Sequence, residues 1–234
     1  MFIPGHWQTK KNEKYLSFHL GDNNIISRQE TAKDLGICTD SGLKFSSHIS
    51  QIVAKAHAGA SVIHKCFLSK NRNILEKAYV TYVRPLLEYA VCVWSPFQLD
   101  DIAKIESVQR RFTKRLHGLS NTSYSDRLAV LGLRSLQLRR LHQDLIYTYK
   151  LIFGLVALDC LKFFLISPNE TTRWHASKLF VRHSRVDVRK HFFGNRVLKI
   201  WNSLPATIYM EDFASLRKFK SFIERVDLSQ YVNF

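Results

Sequence analysis

The stretch Leu75–Leu116 reads LEKAYVTYVRPLLEYAVCVWSPFQLDDIAKIESVQRRFTKRL, and it predicts two helices joined by a turn. Apolar residues recur in its first half at steps of three and four, which is typical of one helix face; they are Leu75, Tyr79, Tyr82, Leu86, Tyr89 and Val93. Pro85 lies inside this run, lacks a backbone N–H and disfavours helical angles at Arg84. We therefore expect a kink or break at Arg84, with Pro85 near the first position of a restarted helix.

The second half of the stretch predicts a helix with one apolar and one basic face. Ser95-Pro96 ends the first run, and Asp100 is expected to cap the next helix. The expected buried stripe contains Ile102, Ile105, Val108, Phe112 and Leu116. The opposite face carries Lys104, Ser107, Arg110, Arg111, Lys114 and Arg115. Such a face is either simply solvated or binds an anionic partner.

The composition of the whole chain favours a polyanionic partner. The 234 residues carry a formal net charge of +16, are 46% hydrophobic and 12% aromatic, and can therefore bury a core. No apolar run reaches the roughly 18 residues of a membrane span. We expect no signal peptide, because the first residues lack an apolar segment with a small-residue cleavage site. The four cysteines include no C-x-x-C pair, which argues against a zinc site and against a disulfide framework. We therefore expect an intracellular protein of the nucleus or cytoplasm, not a secreted one.

The patterns divide the chain into four parts. Residues 1–14 have no periodicity, 15–42 form a small β segment, 43–118 form helices, and 119–234 form a basic helical region. Strands are expected at Tyr15–Leu20, at Ile25-Ile26 and at 34–37, with a turn at 21–24.

Three further helices are expected around the central stretch. Ser46 or Ser47 is the expected N-cap of the first, whose apolar stripe is Ile49, Ile52, Val53, Ala56, Ala60, Ile63 and Phe67. Ser125 is the expected cap of a short helix after Gly118. A long helix follows with Leu138, Leu141, Leu145, Thr148 or Tyr149, and Ile152 on one face. Gly154 lies close to its expected end.

Four segments, in order along the chain, carry a resemblance to a known family. They are YVRPLLEYAVCVWSP, DIAKIESVQRRFTKRLHGL, SYSDRLAVLGLRSLQLRRLHQDLIYTYKLIFGLV and RVDVRKHFFGNRVLKIWNSLP. They resemble the region downstream of the polymerase core in LINE-type (non-LTR) retrotransposon reverse transcriptases of the jockey and chicken-repeat kind. The resemblance runs from about Tyr15 to the end of the chain.

The resemblance implies a fold and a role for each part. His19-Leu20-Gly21 and Leu35-Gly36-Ile37 match the last small sheet of the polymerase palm, where the second element supports the primer end. The helices of 43–118 match the thumb, which closes on a template–primer duplex. The implied fold is mainly α, a helical bundle of thumb-like and C-terminal helices with a small β remnant at the N-terminus.

A second basic stretch lies near the C-terminus. Between Arg173 and Lys199 there are eight arginines and lysines against one acid, Asp187, with aromatic residues between them. This mixture suits a nucleic-acid surface on which rings stack and cations hold phosphates, and the candidate residues are Arg182, Arg185, Arg189 and Lys190. The alternative is a helix that packs Phe193, Val197, Ile200 and Trp201 inward and leaves its arginines in water.

No catalytic residue is expected in this chain. Reverse transcriptases hold two Mg²⁺ ions on palm carboxylates, and the resemblance places those carboxylates before the strand at about residue 18. We therefore expect a fragment truncated before the catalytic palm motif, with no cofactor of its own and Mg²⁺ only in a full-length polymerase. Asp100-Asp101 is the only adjacent aspartate pair, and a helix start that favours acids explains it.

Three functions remain open from the sequence. The first is a non-sequence-specific nucleic-acid-binding fragment of an RNA-directed DNA polymerase, whose partners are RNA, DNA or an RNA–DNA hybrid and not a small-molecule substrate. The second is a non-functional relic of a 5′-truncated element. The third is a basic helical protein that binds an anionic membrane surface or an acidic partner. The sequence leaves the oligomeric state open.

Overall fold

The computed structural model describes residues 18–20, 24–26, 29–165, 178–181, 183–204 and 215–232. Within these ranges the protein is mainly α-helical, with short strands at the N-terminus. The predicted fold class is therefore confirmed.

The N-terminal strands form two separate antiparallel pairs. Strand β1 (Phe18–Leu20) pairs with β2 (Asn24–Ile26), and β3 (Thr31–Asp34) pairs with β4 (Ile37–Asp40). The first two expected strands are confirmed at Phe18–Leu20 and Asn24–Ile26, whereas residues 15–17 of the first lie outside the described residues. The third expected strand is wrong. Leu35 and Gly36 form the turn between β3 and β4, with φ values of 45° and 87°. Two consecutive positive φ angles belong to the tight turn that matches the twist of a hairpin.

Helix α1 (Ser46–Cys66) begins without the expected serine cap. Its N-cap is Phe45, which has φ 59° and makes no side-chain capping bond. The carboxylate of Asp40 instead holds the turn before the helix, accepting hydrogen bonds from the backbone N–H groups of Gly42 at 2.9 Å and Phe45 at 2.8 Å. Of the expected stripe, Ile49, Ala56, Ala60 and Ile63 are buried and confirmed. Phe67 is exposed, because it follows the last residue of the helix and has an extended backbone.

The chain passes Pro85 through a wide helical turn and without a break in the helix. Helix α2 (Arg72–Ala78) passes into a π-helix (Tyr79–Val83) and then into α3 (Arg84–Glu88), with Pro85 in the first turn of α3. Pro85 thus restarts the helix as expected, but Arg84 keeps helical angles of φ −58° and ψ −39°. Proline has no backbone N–H to donate, and the wider hydrogen-bonding pattern of a π-turn accommodates this missing donor. The helix therefore continues without a break.

The π-turn also changes which face of this helix is buried. Leu75 and Tyr79 lie in the core as expected, but Tyr82, Leu86, Tyr89 and Val93 are exposed. The buried positions after Tyr79 are Val83, Leu87, Val91 and Trp94. The wide turn holds an extra residue and moves the inward positions of this helix to Val83 and Leu87. The helix then ends at Glu88, where Tyr89 is extended (ψ 125°) and Ala90 is left-handed (φ 50°), so the predicted run does not continue as one helix to Val93. Helix α4 (Val91–Trp94) then ends at Ser95, as predicted.

Helix α5 (Leu99–Lys114) has the predicted buried stripe but a different start. Ile102, Ile105, Val108 and Phe112 are buried, and so is Leu116 just after the helix. The N-cap is Gln98, so Asp100 lies inside the first turn and does not cap the helix. An acid in the first turn still interacts favourably with the helix dipole.

Helices α6 (Tyr124–Leu131) and α7 (Leu136–Ile152) follow the predicted order. The cap of α6 is Ser123, two residues before the expected Ser125, and its side chain accepts from the backbone N–H of Asp126. Leu141, Leu145, Thr148 and Tyr149 of α7 are buried as expected. At its end the N–H of Gly154, with φ 65°, bonds to Leu151, and that of Leu155 bonds to Lys150. This is the paired bonding with which glycine closes a helix.

The C-terminal region consists of short elements around a second core. They are a 3₁₀ turn (Cys160–Lys162), α8 (Asp187–Lys190), α9 (Phe193–Arg196), α10 (Leu198–Ser203), α11 (Leu216–Ile223) and a 3₁₀ turn (Ser229–Tyr231). Phe193, Val197 and Trp201 are buried and Ile200 is half-buried, as the packing alternative predicted.

The described residues form two hydrophobic cores. The N-terminal core joins buried residues between Ile37 and Leu136, and the C-terminal core joins those between Leu141 and Leu228. Helix α7 contributes Leu136 to the first and the rest of its buried residues to the second. The predicted domain boundaries stay predictions.

Candidate nucleic-acid interface

The candidate interface is a groove between α1 and α5, which pack against each other. Small residues on α1, Ala56 and Ala60, face the core together with Val108 and Phe112 of α5. Because alanines occupy little volume, the two helices approach closely at the bottom of the groove, while longer polar side chains line its upper walls.

The groove contains a cavity of about 390 Å³. Its floor is formed by Ala60, Val108 and Phe112. One wall carries His57, Ser61 and His64 from α1, and the other carries Arg111, Lys114 and Arg115 from the end of α5.

A second cavity of about 370 Å³ adjoins the first and shares His64 and Arg115 with it. Lys70 and His117 add further basic side chains to its lining. No carboxylate lines either cavity. We call the two cavities together the α1–α5 groove.

The five predicted binding residues of α5 do not form one surface. All five are exposed, as the basic face requires. Arg111, Lys114 and Arg115 line the groove. The ammonium of Lys104 lies 2.8 Å from a carboxylate oxygen of Asp101, and this bond raises the pKa of Lys104. The guanidinium of Arg110 lies 5.0 Å from the centre of the Tyr124 ring, a cation–π contact.

The predicted C-terminal candidates lie outside this groove. Arg185, Arg189 and Lys190 are exposed on and before α8, and Arg182 lies outside the described residues. Neither cavity of the α1–α5 groove includes any of the three.

Arg196, in the same basic stretch, is a structural residue. Its guanidinium pairs with the Asp144 carboxylate, with both contacts at 2.8 Å, and also donates to the carbonyl of Cys92 at 2.9 Å. The expectation that the arginines of this stretch are all in water is therefore wrong for Arg196.

Two histidines of the groove have lowered pKa values. Burial first, and then the nearby Arg111, lower the pKa of His57. Burial and Arg115 also lower the pKa of His64, and they outweigh a hydrogen bond to the Phe112 backbone that raises it. Both effects disfavour a positive ring, and an uncharged imidazole is therefore favoured at neutral pH. Sequence reasoning missed these residues, although their spacing of seven placed both on one face of α1.

Another missed residue is Glu106, which is fully buried on α5. Its carboxylate accepts from the backbone N–H of Leu136 at 3.0 Å, at the start of α7, and from the hydroxyl of Tyr124. The local pattern carries no signal for this role, since its partners lie 18 and 30 residues further along the chain.

The Asp100-Asp101 pair has a structural environment. Asp101 is buried and accepts from the hydroxyl of Ser46 at 2.6 Å as well as from Lys104, whereas Asp100 is exposed. Within the described ranges no three His, Cys, Asp or Glu side chains come together as a group that could hold a metal ion.

Comparison with known proteins leaves the family open. An uncharacterized protein of Caenorhabditis elegans is 32% identical over 124 residues, which is 52% of this chain and 63% of that protein. The chain thus spans less than two thirds of the length of this relative. No family model matches the chain, and no solved structure matches it. None of the described helices is long and apolar enough to cross a membrane.

Proposed function

We propose that this chain binds the phosphate backbone of RNA, DNA or an RNA–DNA hybrid through the α1–α5 groove, without reading the bases. The observation that carries the proposal is the convergence of Arg111, Lys114 and Arg115 on a groove that no carboxylate lines. The formal net charge of +16 supports it, because a basic protein attracts polyanions over long distances.

The spacing of the groove cations suits nearby phosphates of one strand. Arg111 and Arg115 are four positions apart at the end of α5, which is about 6 Å along the helix axis. Each strand of a duplex carries one phosphate per about 3.4 Å of helix axis. The two guanidinium groups can therefore contact phosphates about two nucleotides apart, and such contacts carry no base information.

The resemblance supports a more specific assignment within this proposal. The matching segments run in order from about Tyr15 to the end of the chain and resemble the thumb and following helices of a LINE-type RNA-directed DNA polymerase. In that role the groove grips the template–primer. The catalytic Mg²⁺ ions belong to the palm of a full-length polymerase, and none of the residues discussed here holds them.

The test is the salt dependence of binding to an RNA–DNA hybrid of about 15 base pairs between about 50 and 200 mM salt. Each cation that contacts a phosphate contributes roughly one unit to the slope of log affinity against log salt concentration. The triple variant Arg111→Ala, Lys114→Ala, Arg115→Ala should therefore lose about three units of slope. Its fold should persist, because alanine favours helix and the buried stripe is unchanged.

The matched control removes three exposed charges elsewhere, with Lys162→Ala, Arg217→Ala and Lys220→Ala. This variant should keep the slope of the wild type. Equal slopes for all three proteins would mean that the groove is merely solvated. Binding of the wild type to anionic lipid vesicles but not to the hybrid would favour the membrane alternative instead.

A further inference from the structure

The α1 wall of the groove carries two histidines whose Nε2 atoms are weakly bonded or unbonded within the fold. His57 Nε2 lies 3.3 Å from the hydroxyl of Ser107, a long hydrogen bond. His64 packs its ring against Phe112, with 4.6 Å between ring centres, and its Nε2 has no hydrogen-bond partner although the atom is buried. A buried polar atom without a partner costs free energy, and a ligand that pairs with it recovers that cost.

The groups that face these histidines are all basic or neutral. From α5, Arg111 acts on His57 and Arg115 on His64, and Lys114 lines the same cavity. Lys70, before α2, and His117, after α5, line the adjoining cavity. Helices α2 and α3 and strand β4 also pack on α1, but they add no charged residue to either lining.

We propose that His57 and His64 are phosphate-contacting residues of the groove and that each takes up a proton when a phosphate group enters it. This inference rests on the proposed function and names the second wall of that site. The proton goes from solvent to the free ring nitrogen, and the charged ring then donates a hydrogen bond to a phosphate oxygen.

The physical reason is charge compensation. In the free protein, burial and the facing arginines keep the pKa of both histidines below the ordinary value of 6.5. A phosphodiester brings a negative charge within a few ångströms, which favours the charged form of the ring and raises its pKa. The bound state then holds more protons than the free state, and by linkage the affinity rises as the pH falls.

The experiment measures the affinity for an RNA–DNA hybrid of adenylate and thymidylate at constant salt from about pH 8 down to about pH 6, the range in which histidine titrates. Each histidine that gains a full proton on binding changes Kd by about tenfold per pH unit. The wild type should bind at least about tenfold more tightly at the lower end. The variant His57→Gln, His64→Gln should bind with little pH dependence.

A control variant, His183→Gln, changes an exposed histidine outside the groove and should keep the full pH dependence. Proton uptake is also measured on the unmutated protein, by calorimetry in two buffers with different ionisation enthalpies. This second measurement does not depend on whether the double variant folds. It should report between one and two protons per complex, because a fraction of the two rings already carries a proton before binding.

The outcomes separate the two proposals. No proton uptake, or a double variant as pH-dependent as the wild type, overturns the histidine inference but leaves phosphate binding by the α5 cations. If the wild type and the Arg111, Lys114, Arg115 triple variant bind equally tightly at every pH, the proposed function is contradicted. The histidine inference then fails as well.

Discussion

At the scale of single residues, Arg139 and Arg140 of α7 are adjacent but have opposite environments. Arg139 pairs with Glu88, with Nη2 and Oε2 3.0 Å apart. Arg140 is 3% exposed, and its two terminal nitrogens have no hydrogen-bond partner. Burial lowers its pKa to about 10. A buried cation whose terminal nitrogens lack hydrogen bonds costs free energy that the charges of Glu106, Asp144 and Glu88 only partly offset.

We expect Arg140→Met to increase the free energy of unfolding by about 1–4 kcal/mol, because a well-packed apolar chain replaces a poorly compensated charge. Arg139→Met is the matched comparison and should decrease it by about 1.5–3 kcal/mol, because it removes charged hydrogen bonds to Glu88. Urea unfolding of both variants and the wild type measures the difference. A loss of similar size in both variants would mean that Arg140 is well compensated in the fold.

At the scale of elements, the π-turn between α2 and α3 determines the inward face of the central helix. Before the turn, Leu75 and Tyr79 agree with a regular helical stripe. After it, Leu87 is 1% exposed and its neighbour Leu86 is 39% exposed, the reverse of what a regular stripe predicts. One local change in helix width therefore selects the residues that pack against α1.

A pair of adjacent alanine variants tests this register. Leu87→Ala should lower the free energy of unfolding by about 2–5 kcal/mol, because it leaves a cavity in the N-terminal core. Leu86→Ala should cost about 1 kcal/mol or less, because a partly exposed leucine loses little buried area. Thermal and urea unfolding measure both changes. The opposite order of costs would show that the helix keeps a regular register through Pro85.

At the scale of the whole molecule, long-range contacts connect the C-terminal elements to the N-terminal half. Arg196 of α9 forms an ion pair with Asp144 of α7, which lies 52 residues earlier in the chain. It also donates a hydrogen bond to the Cys92 carbonyl of α4. The rings of Phe97 and His191 stack with 4.2 Å between their centres. These contacts connect α9 and His191, which precedes it in the chain, with α7 and with the segment from Cys92 to Phe97.

Arg196→Met should lower the free energy of unfolding by about 3–5 kcal/mol, because it leaves the Asp144 carboxylate buried without its partner. Adding Asp144→Leu should recover most of this loss, since the pair is then replaced by apolar groups. Arg189→Met, at an exposed position on α8, is the control and should change stability by about 0.5 kcal/mol or less. Failure of the double variant to recover would mean that the bonds of Arg196 to backbone carbonyls carry the stabilisation.

The sequence alone was sufficient for features that depend on neighbours in the chain. The apolar stripe of α5 and its exposed basic face follow from a period of 3.6 residues, and the core stripe of Phe193, Val197 and Trp201 follows in the same way. Gly154 ends α7 because glycine alone adopts positive φ without strain. A local pattern is enough in each case, because helical geometry determines which residues share a face.

Only the tertiary structure decided which of these faces meet, and with what. The basic face of α5 contains five candidates, but packing against α1 selects Arg111, Lys114 and Arg115 and adds His57 and His64. The sequence does not reveal these residues as a group, because the two walls are far apart in the chain: His57 and Ser107 are separated by 50 residues. In addition, neither helix specifies how the other is rotated about its axis. Glu106 shows the same limit, since its burial depends on an α7 N-terminus 30 residues away. Periodicity assigns residues to a face, but the free energy of packing between distant elements determines what that face contacts.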